Sequence, residues 1–329
     1  MTVIPVAKKT GKFEIRTHSD VRRILHKGGK ATGVLYVDTT TGEEIEQPAD
    51  IVVLTSFVFN NIRILLTSKL GKPYDPATGT GVIGRNYAYQ VLKGNAIGFF
   101  ENKQFNNFAG AGSLGMTVDD YNGDNFDHSD LKFIHGGSIS ISQTGQRPIA
   151  NNTVPSGTPT WGPQFKANSI KYANRVLSVG GQGASMPFRH HYLDLDPTYK
   201  DAYGDPLVRI TFDFEEQDRE LAKFLAGKCA DIMKEMGADH VDYLKELGPY
   251  DITTYQSTHN TGGAIMGADP ATSAVNSYLQ MWDADNVFVV GASAFPHNSG
   301  YNPTDTVGAL AYRAAEGILT YSKKGGSLV

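Results

Sequence analysis

Two segments of this 329-residue chain place titratable and polar side chains beside glycines at the edges of regular structure. The first, STHNTGGAIMG, carries His259; the second, GASAFPHNSGYNPTDTVGAL, carries His297 and Asn302. In the second segment a strand, a turn and a helix follow in order, so the free backbone N–H groups of the helix start point into the space beside the strand's C-terminal end. Such a start favours an acceptor carrying negative charge. The same N–H groups are also satisfied if Asn302 merely caps them, and the residues alone leave both readings open.

The chain has nine histidines, and most of the others have plainer readings. His18 and His26 sit in strand-like stretches, while His128, His135, His190, His191 and His240 lie in or near loops, where a histidine is more often a surface or hydrogen-bonded group than a catalyst. His190 and His191 are adjacent, so on a strand they would face opposite ways and could not share a metal ion; no metal site is expected. Cys229 is the only cysteine, which excludes an intrachain disulfide and a cysteine-ligated cluster built from these residues alone. With 40% apolar residues, 19% charged residues and a net charge of -4, the chain is of ordinary globular composition and nucleic acid is not an expected partner. No run approaches about 18 consecutive apolar residues, and the opening MTVIPVAKKTGKFEIR lacks an apolar stretch of useful length. Export or membrane attachment would therefore fall to another segment or a partner.

The elements that must position these residues read as α/β with an α+β character. Alternating apolar residues at Val21 and Ile24, then at Val34 and Tyr36, with TTTG and QPAD as punctuation, predict a small antiparallel meander. It leads into a strand at Asp50 to Leu54 that is apolar on both faces and suits the centre of a parallel sheet. The spacing of Ile62, Leu65, Leu66 and Leu70 predicts a helix ending at Gly71. Residues 79 to 204 are rich in Gly, Asn, Ser, Tyr and Phe, which fits either a plain loop-rich β region or a sheet with mobile loops over a site. PLVRITFDF reads as a strand, and the stripe Leu221, Phe224, Leu225, Ile232, Met233 and Met236 as one face of a structural helix. DNVFVVGASAF reads as a buried strand, and PTDTVGALAYRAAEGILTYS as a helix with Pro303 in its first turn and Asp305 complementing its dipole.

The two segments closely resemble the C-terminal signature of the glucose-methanol-choline oxidoreductases, in which a histidine in a TH-x-x-GG-x-x-MG stretch is followed by a histidine or asparagine in a stretch like G-x-NPT-x-T. Upstream, FEIRTHSDVRRI resembles that family's strand placing a backbone valine, here Val21, against adenine. ADIVVLTSFVFNNIRILLTSKLG resembles its strand-helix unit, GVIGRN its boundary motif, and YLDLDPTYKDAYGDPLVRITFDF a segment of its bacterial sugar dehydrogenase branch. The chain departs from the pattern in two places. Phe57 and Val58 follow the buried strand where small residues are usual, and Gly291 stands where many relatives carry an aspartate, excluding a side-chain contact there. No G-x-G-x-x-G strand-turn-helix unit opens the chain, so tight FAD binding is expected to need a segment this chain lacks, and the chain is expected to begin partway through a longer polypeptide.

The resemblance implies part of an FAD-binding Rossmann-like domain at residues 1–85, an antiparallel-sheet substrate domain at 86–248, and a return to the FAD-binding domain at 249–329 carrying the catalytic motifs. It implies an FAD-dependent sugar dehydrogenase in which His259 takes the hydroxyl proton, Asn302 orients the same oxygen, and hydride passes to flavin N5. Gly291, Ala292 and Pro303 would lie against FAD, and the N–H groups of Thr304 and Asp305 would face the negative edge of the reduced flavin. Asn260 and His297 are candidate substrate contacts. Trp161, Tyr172 and Tyr192 are candidates to stack on a sugar ring. Glucose oxidation at C1 to gluconolactone is the first expectation; gluconate 2-dehydrogenase and sorbose dehydrogenase are the competitors. An iron-sulfur cluster would come from upstream residues or a partner. The branch also implies a small export-assisting subunit, a cytochrome c acceptor in place of oxygen, and a periplasmic location with membrane association through a partner. A noncatalytic carbohydrate-binding module is the rival from another class; a serine hydrolase is disfavoured, since no G-x-S-x-G occurs.

Overall fold

The computed structural model describes residues 3–106, 115–141, 153–254 and 258–329. Parts of the glycine-rich stretch, and Ser257 of the first motif, lie outside the described residues. Helix α1 (Val3–Lys9) precedes the expected meander of β1 (Ser19–Lys27), β2 (Lys30–Asp38) and β3 (Glu44–Pro48), antiparallel throughout. Strand β4 (Val52–Leu54) and helix α2 (Val58–Ser68) follow. The helix stops before Gly71. Lys69 already takes a left-handed φ of 55°, and the N–H groups of Lys69 and Leu70 close on Leu66 and Leu65 at 3.1 and 3.0 Å.

Next come β5 (Ala88–Tyr89), β6 (Val91–Phe99), β7 (Met116–Val118), β8 (Gly137–Ile141), α3 (Pro163–Tyr172), β9 (Val176–Gly183), β10 (Tyr192–Lys200), β11 (Pro206–Thr211), α4 (Glu216–Glu235) and β12 (His240–Tyr243). Strands β12, β6, β9, β8 and β7 form a five-stranded sheet, antiparallel at every pairing, and β10 and β11 form a separate hairpin. Helix α4 lies across β6 and β9, and its approach needs residues without a Cβ: one added at Gly94 or Gly181 would stand 2.8 Å from the Leu225 Cβ. Cys229, on the same buried face, has its thiol pushed up to about 12 by burial and is inert. Helix α3 was not anticipated from sequence. It carries Tyr172 into a small core with Phe99 and Val176, where its hydroxyl donates to Glu101 at 2.7 Å. That burial removes Tyr172 from the residues available to stack on a sugar; Trp161 is 81% exposed, and Tyr192 packs edge-on to Tyr74.

The C-terminal stretch returns to the first one. β13 (Asn260–Thr261) pairs antiparallel with β5, β14 (Val287–Val289) runs parallel beside β4, and α5 (Thr304–Lys324) closes the chain. Strand β4 has the expected parallel partner, yet Val53 is 42% exposed, so among the described residues one face of this pair stands uncovered. The string G-x-G-x-x-G does occur, at Gly79 to Gly84, which corrects the expectation that the chain lacks it. It is no dinucleotide fingerprint: bridges from Asp75 to Thr80 and from Pro73 to Ile83 enclose it, and no helix follows.

Two partly buried carboxylates clamp the meander and α2 to the β10–β11 hairpin. Asp201 accepts from Arg63, and Asp205 pairs with Arg22, whose side chain is only 4% exposed. Burial raises the Asp201 carboxyl, but hydrogen bonds from Arg63 and from the Tyr203 and Asp205 N–H groups outweigh it and bring it to about 2. A carboxyl held below its unfolded value contributes stability above that value and loses it as pH falls toward about 2. Asp201→Asn should lower the urea stability of the full-length protein by about 2 kcal/mol near neutral pH, with the gap from wild type closing between about pH 4 and pH 2.

Candidate active site

Three loops converge on His259, and backbone hydrogen bonds lock them together. Gly84 N–H donates to the Gly263 carbonyl at 2.6 Å, and Gly263 N–H returns to Arg85 at 3.1 Å. Gly262 donates to Ala292, Ala264 to Ser293 and Met266 to Ala294, so the T-G-G run lies along the turn that follows β14. The contact requires glycine: a Cβ on Gly262 would stand 2.0 Å from the Asn86 carbonyl oxygen, and its φ is +82°. His259 itself has a φ of 63°, a left-handed conformation that costs a non-glycine residue about 1 kcal/mol or more and persists only where neighbours impose it. Those neighbours are Asn298, whose Nδ2 donates to the His259 carbonyl at 2.9 Å, and the Gln90 N–H, which reaches the same oxygen at 3.3 Å.

The imidazole is half-buried. Its Nδ1 is hydrogen-bonded to Gln90 Oε1, and among the described residues Nε2 has no hydrogen-bond partner. Burial holds its pKa below the usual histidine value, because the cation loses hydration that nothing replaces. Gln90 is 0% exposed, and its Nε2 donates to the carbonyls of Ser299 and Tyr301. The next residue is Asn302, whose Oδ1 accepts from Gln182 Nε2 at 3.2 Å. That bond answers the question the sequence left open. The residue preceding α5 is Pro303, no side chain caps the helix, and Asn302 has its oxygen engaged elsewhere, so the first-turn N–H groups are uncapped.

The remaining candidates are placed less uniformly. Asn260 is 2% exposed, with Oδ1 accepting from the Tyr87 hydroxyl at 2.6 Å and Nδ2 donating to Thr258, so it braces the loop instead of standing ready for a substrate. His297 lies 4.8 Å ring to ring from His135, and among the described residues its buried Nε2 has no partner. Burial and the facing His135 both hold its pKa down. Val21 is a half-buried residue of β1 packed against the main core. Gly291 sits at φ +114° with open space where a Cβ would be, Ala292 follows it in a 3-10 turn, and Thr304 and Asp305 are exposed at the start of α5.

His190 and His191 overturn the alternation argument. They fall in and after a turn, not on a strand, and both reach one oxygen of Glu215, at 2.6 and 3.1 Å. The ligand atoms lie within 4.8 Å of one another. A cation on His191 Nε2 would force the ring proton onto Nδ1, which is buried without an acceptor, so hydrogen bonding to the residue that caps α4 is the reading the geometry favours.

The profile of the GMC oxidoreductases matches residues 187–311, which include His259, Gly291, His297 and Asn302. The gluconate 2-dehydrogenase flavoprotein of Pantoea cypripedii is 45% identical over 335 residues, covering 100% of this chain and 54% of that protein. Residues 187–311 carry the C-terminal domain of the GMC oxidoreductases. The fructose dehydrogenase large subunit of Gluconobacter japonicus is 27% identical over 266 residues, covering 80% of the chain and 45% of the relative. The chain thus spans about half the length of the curated relatives it matches. Pyridoxine 4-oxidase from Mesorbium loti shares the fold, with a TM-score of 0.57 at 15% identity over 91% of this chain and 56% of that one.

A GMC fold implies FAD, and the residues present fit it. The backbone at Gly291 is open for close approach, the start of α5 is uncapped, and Val53 leaves the β4–β14 pair uncovered. Sequence reading named His259 and Asn302 as candidates but not Gln90, Gln182 and Asn298, which the structure hydrogen-bonds to them. The one available signal was a glutamine interrupting the apolar run Tyr-Ala-Tyr-Gln-Val-Leu. A histidine with a depressed pKa contributes stability that is lost as pH falls from the unfolded value, near 6.5, through the lower folded one. His297→Asn should therefore flatten the loss of thermal stability of the full-length protein on acidification from about pH 7 to pH 5, measured as the melting temperature at each pH.

Proposed function

We propose that this chain forms the proton-handling part of an FAD-dependent dehydrogenase that oxidises a secondary hydroxyl of a sugar acid, with gluconate oxidised at C2 as the leading substrate. The observation that carries the reading is His259: a neutral, half-buried imidazole with Nδ1 engaged and Nε2 unengaged, fixed on a strained backbone and tied through Gln90 to the residue before Asn302. Neutrality matters because a base must begin without its proton. Gluconate displaces the earlier preference for glucose at C1, on the strength of the relative that matches the whole chain.

When bound, FAD supplies the acceptor for the hydride. Gly291, Ala292 and the N–H groups of Thr304 and Asp305 would hold it. His259 Nε2 takes the hydroxyl proton. Asn302 has its Oδ1 occupied by Gln182, so its Nδ2 is the group left to donate to the substrate oxygen and orient the carbon–hydrogen bond. Sorbose and glucose remain the competing substrates. A small accessory subunit, a cytochrome c acceptor, an iron-sulfur cluster and a periplasmic location belong to the proposal through the family resemblance. No helix of the described residues is long and apolar enough to cross a membrane.

In the full-length flavoprotein under anaerobic conditions, gluconate should bleach the flavin absorbance faster than glucose or sorbose does and yield the 2-keto acid. His259→Ala should slow that bleaching by roughly 10²–10⁴-fold with flavin content unchanged; wild-type bleaching in the variant would remove His259 from the reaction. Asn302→Ala should slow it less. A colourless full-length protein that still binds sugar would favour the carbohydrate-binding module.

A further inference from the structure

We propose that Gln90 is the positioning residue that selects the tautomer of His259 and so decides which nitrogen is the base; this rests on the function proposed above. The argument is one of donors and acceptors. Gln90 Nε2 lies against the carbonyls of Ser299 and Tyr301, which only accept, so the atom there must be the amide nitrogen. Its Oε1 is then the atom facing His259, and an amide oxygen only accepts. His259 Nδ1 must therefore carry a proton. A neutral imidazole has one N–H, and burial favours the neutral ring, so Nε2 is left as a bare lone pair.

Gln90 also ties the base to the group that orients the substrate. It holds the ring of His259 with one end and the carbonyls of residues 299 and 301, immediately before Asn302, with the other. Full burial of the amide keeps water from competing for any of these bonds. Ring direction, tautomer and the spacing between the two catalytic candidates thus share one side chain.

The test uses the full-length flavoprotein, with ring nitrogens of histidine labelled by ¹⁵N and His259 assigned by its loss in His259→Ala. Wild type should show Nδ1 protonated and Nε2 unprotonated at neutral pH. The opposite tautomer overturns the proposal whatever the enzyme's activity. Gln90→Leu should give mixed tautomers and a kcat reduced at least roughly tenfold, with KM changed by less than about twofold. Gln90→Glu keeps an acceptor and should hold the proton on Nδ1, with the rate recovered only at higher pH because a carboxylate there stabilises the imidazolium; a Glu variant with the mixed tautomers of Leu overturns the proposal. In the His259→Ala background Gln90→Leu should cause no further loss, and an additive loss would make Gln90 merely structural. If His259→Ala proves fully active, the proposed function fails, while the NMR result still decides the tautomer.

Discussion

The site depends on one buried amide. Gln90 satisfies its bonds inside the protein, and its partners belong to two loops: the ring of His259 on one, and the carbonyls of Ser299 and Tyr301 on the other. Buried polar groups are costly unless paired, so the amide and its partners stand or fall as a set. Neither β5 nor β13, two residues each, could impose this alignment through strand pairing alone. The aromatic wall behind them helps: Tyr87 and Tyr89 pack edge-on to Phe212, and Tyr250 closes on Phe212 from another side. Rigid apolar packing behind and a satisfied amide in front make a short strand pair behave as a firm mount.

The electrostatics follow from the same arrangement. The described surroundings offer His259 no carboxylate, only a neutral amide oxygen, so nothing compensates the imidazolium and burial depresses its pKa. A carboxylate in that position would stabilise the cation and leave the base protonated at higher pH. If His259 is the base proposed above, the fold gives up strength of base for availability of the free base, a reasonable exchange for an acceptor that must start each turnover unprotonated. The uncapped start of α5 favours the opposite charge, since its free N–H groups attract an acceptor that carries negative charge.

Much of this was legible in the sequence, in proportion to how local the signal was. The meander, α4 and α5 were read from periodicity and end signals because their apolar stripes and caps lie within one window. His259 and Asn302 were read from glycine-bounded motifs. What failed was through-space. The link from residue 90 to residue 259 has no periodic signature, and α3 has too few buried residues to announce itself. The reading of His190 and His191 assumed a strand where the chain turns, and a turn lets neighbouring rings converge. The G-x-G-x-x-G at Gly79 was overlooked because the pattern was sought only before a helix, which is where its physics applies.

A division of labour emerges when the satisfied and unsatisfied surfaces are set side by side. Around His259 the described loops are braced by their neighbours, down to the carbonyl of a strained residue held by Asn298. Along β4, β14 and the head of α5 the reverse holds: Val53 exposed, Gly291 open, a helix start without a cap, and Tyr312 and Leu319 exposed at 78% and 61% on α5. Preorganisation is concentrated where a proton must be taken and absent where a large planar cofactor and its binding segment would supply their own contacts. In the proposed reaction a chain built this way would carry its acid–base geometry ready-made and leave hydride acceptance to what covers that face, and the two halves of the reaction would meet at the boundary between Asn302 and Thr304.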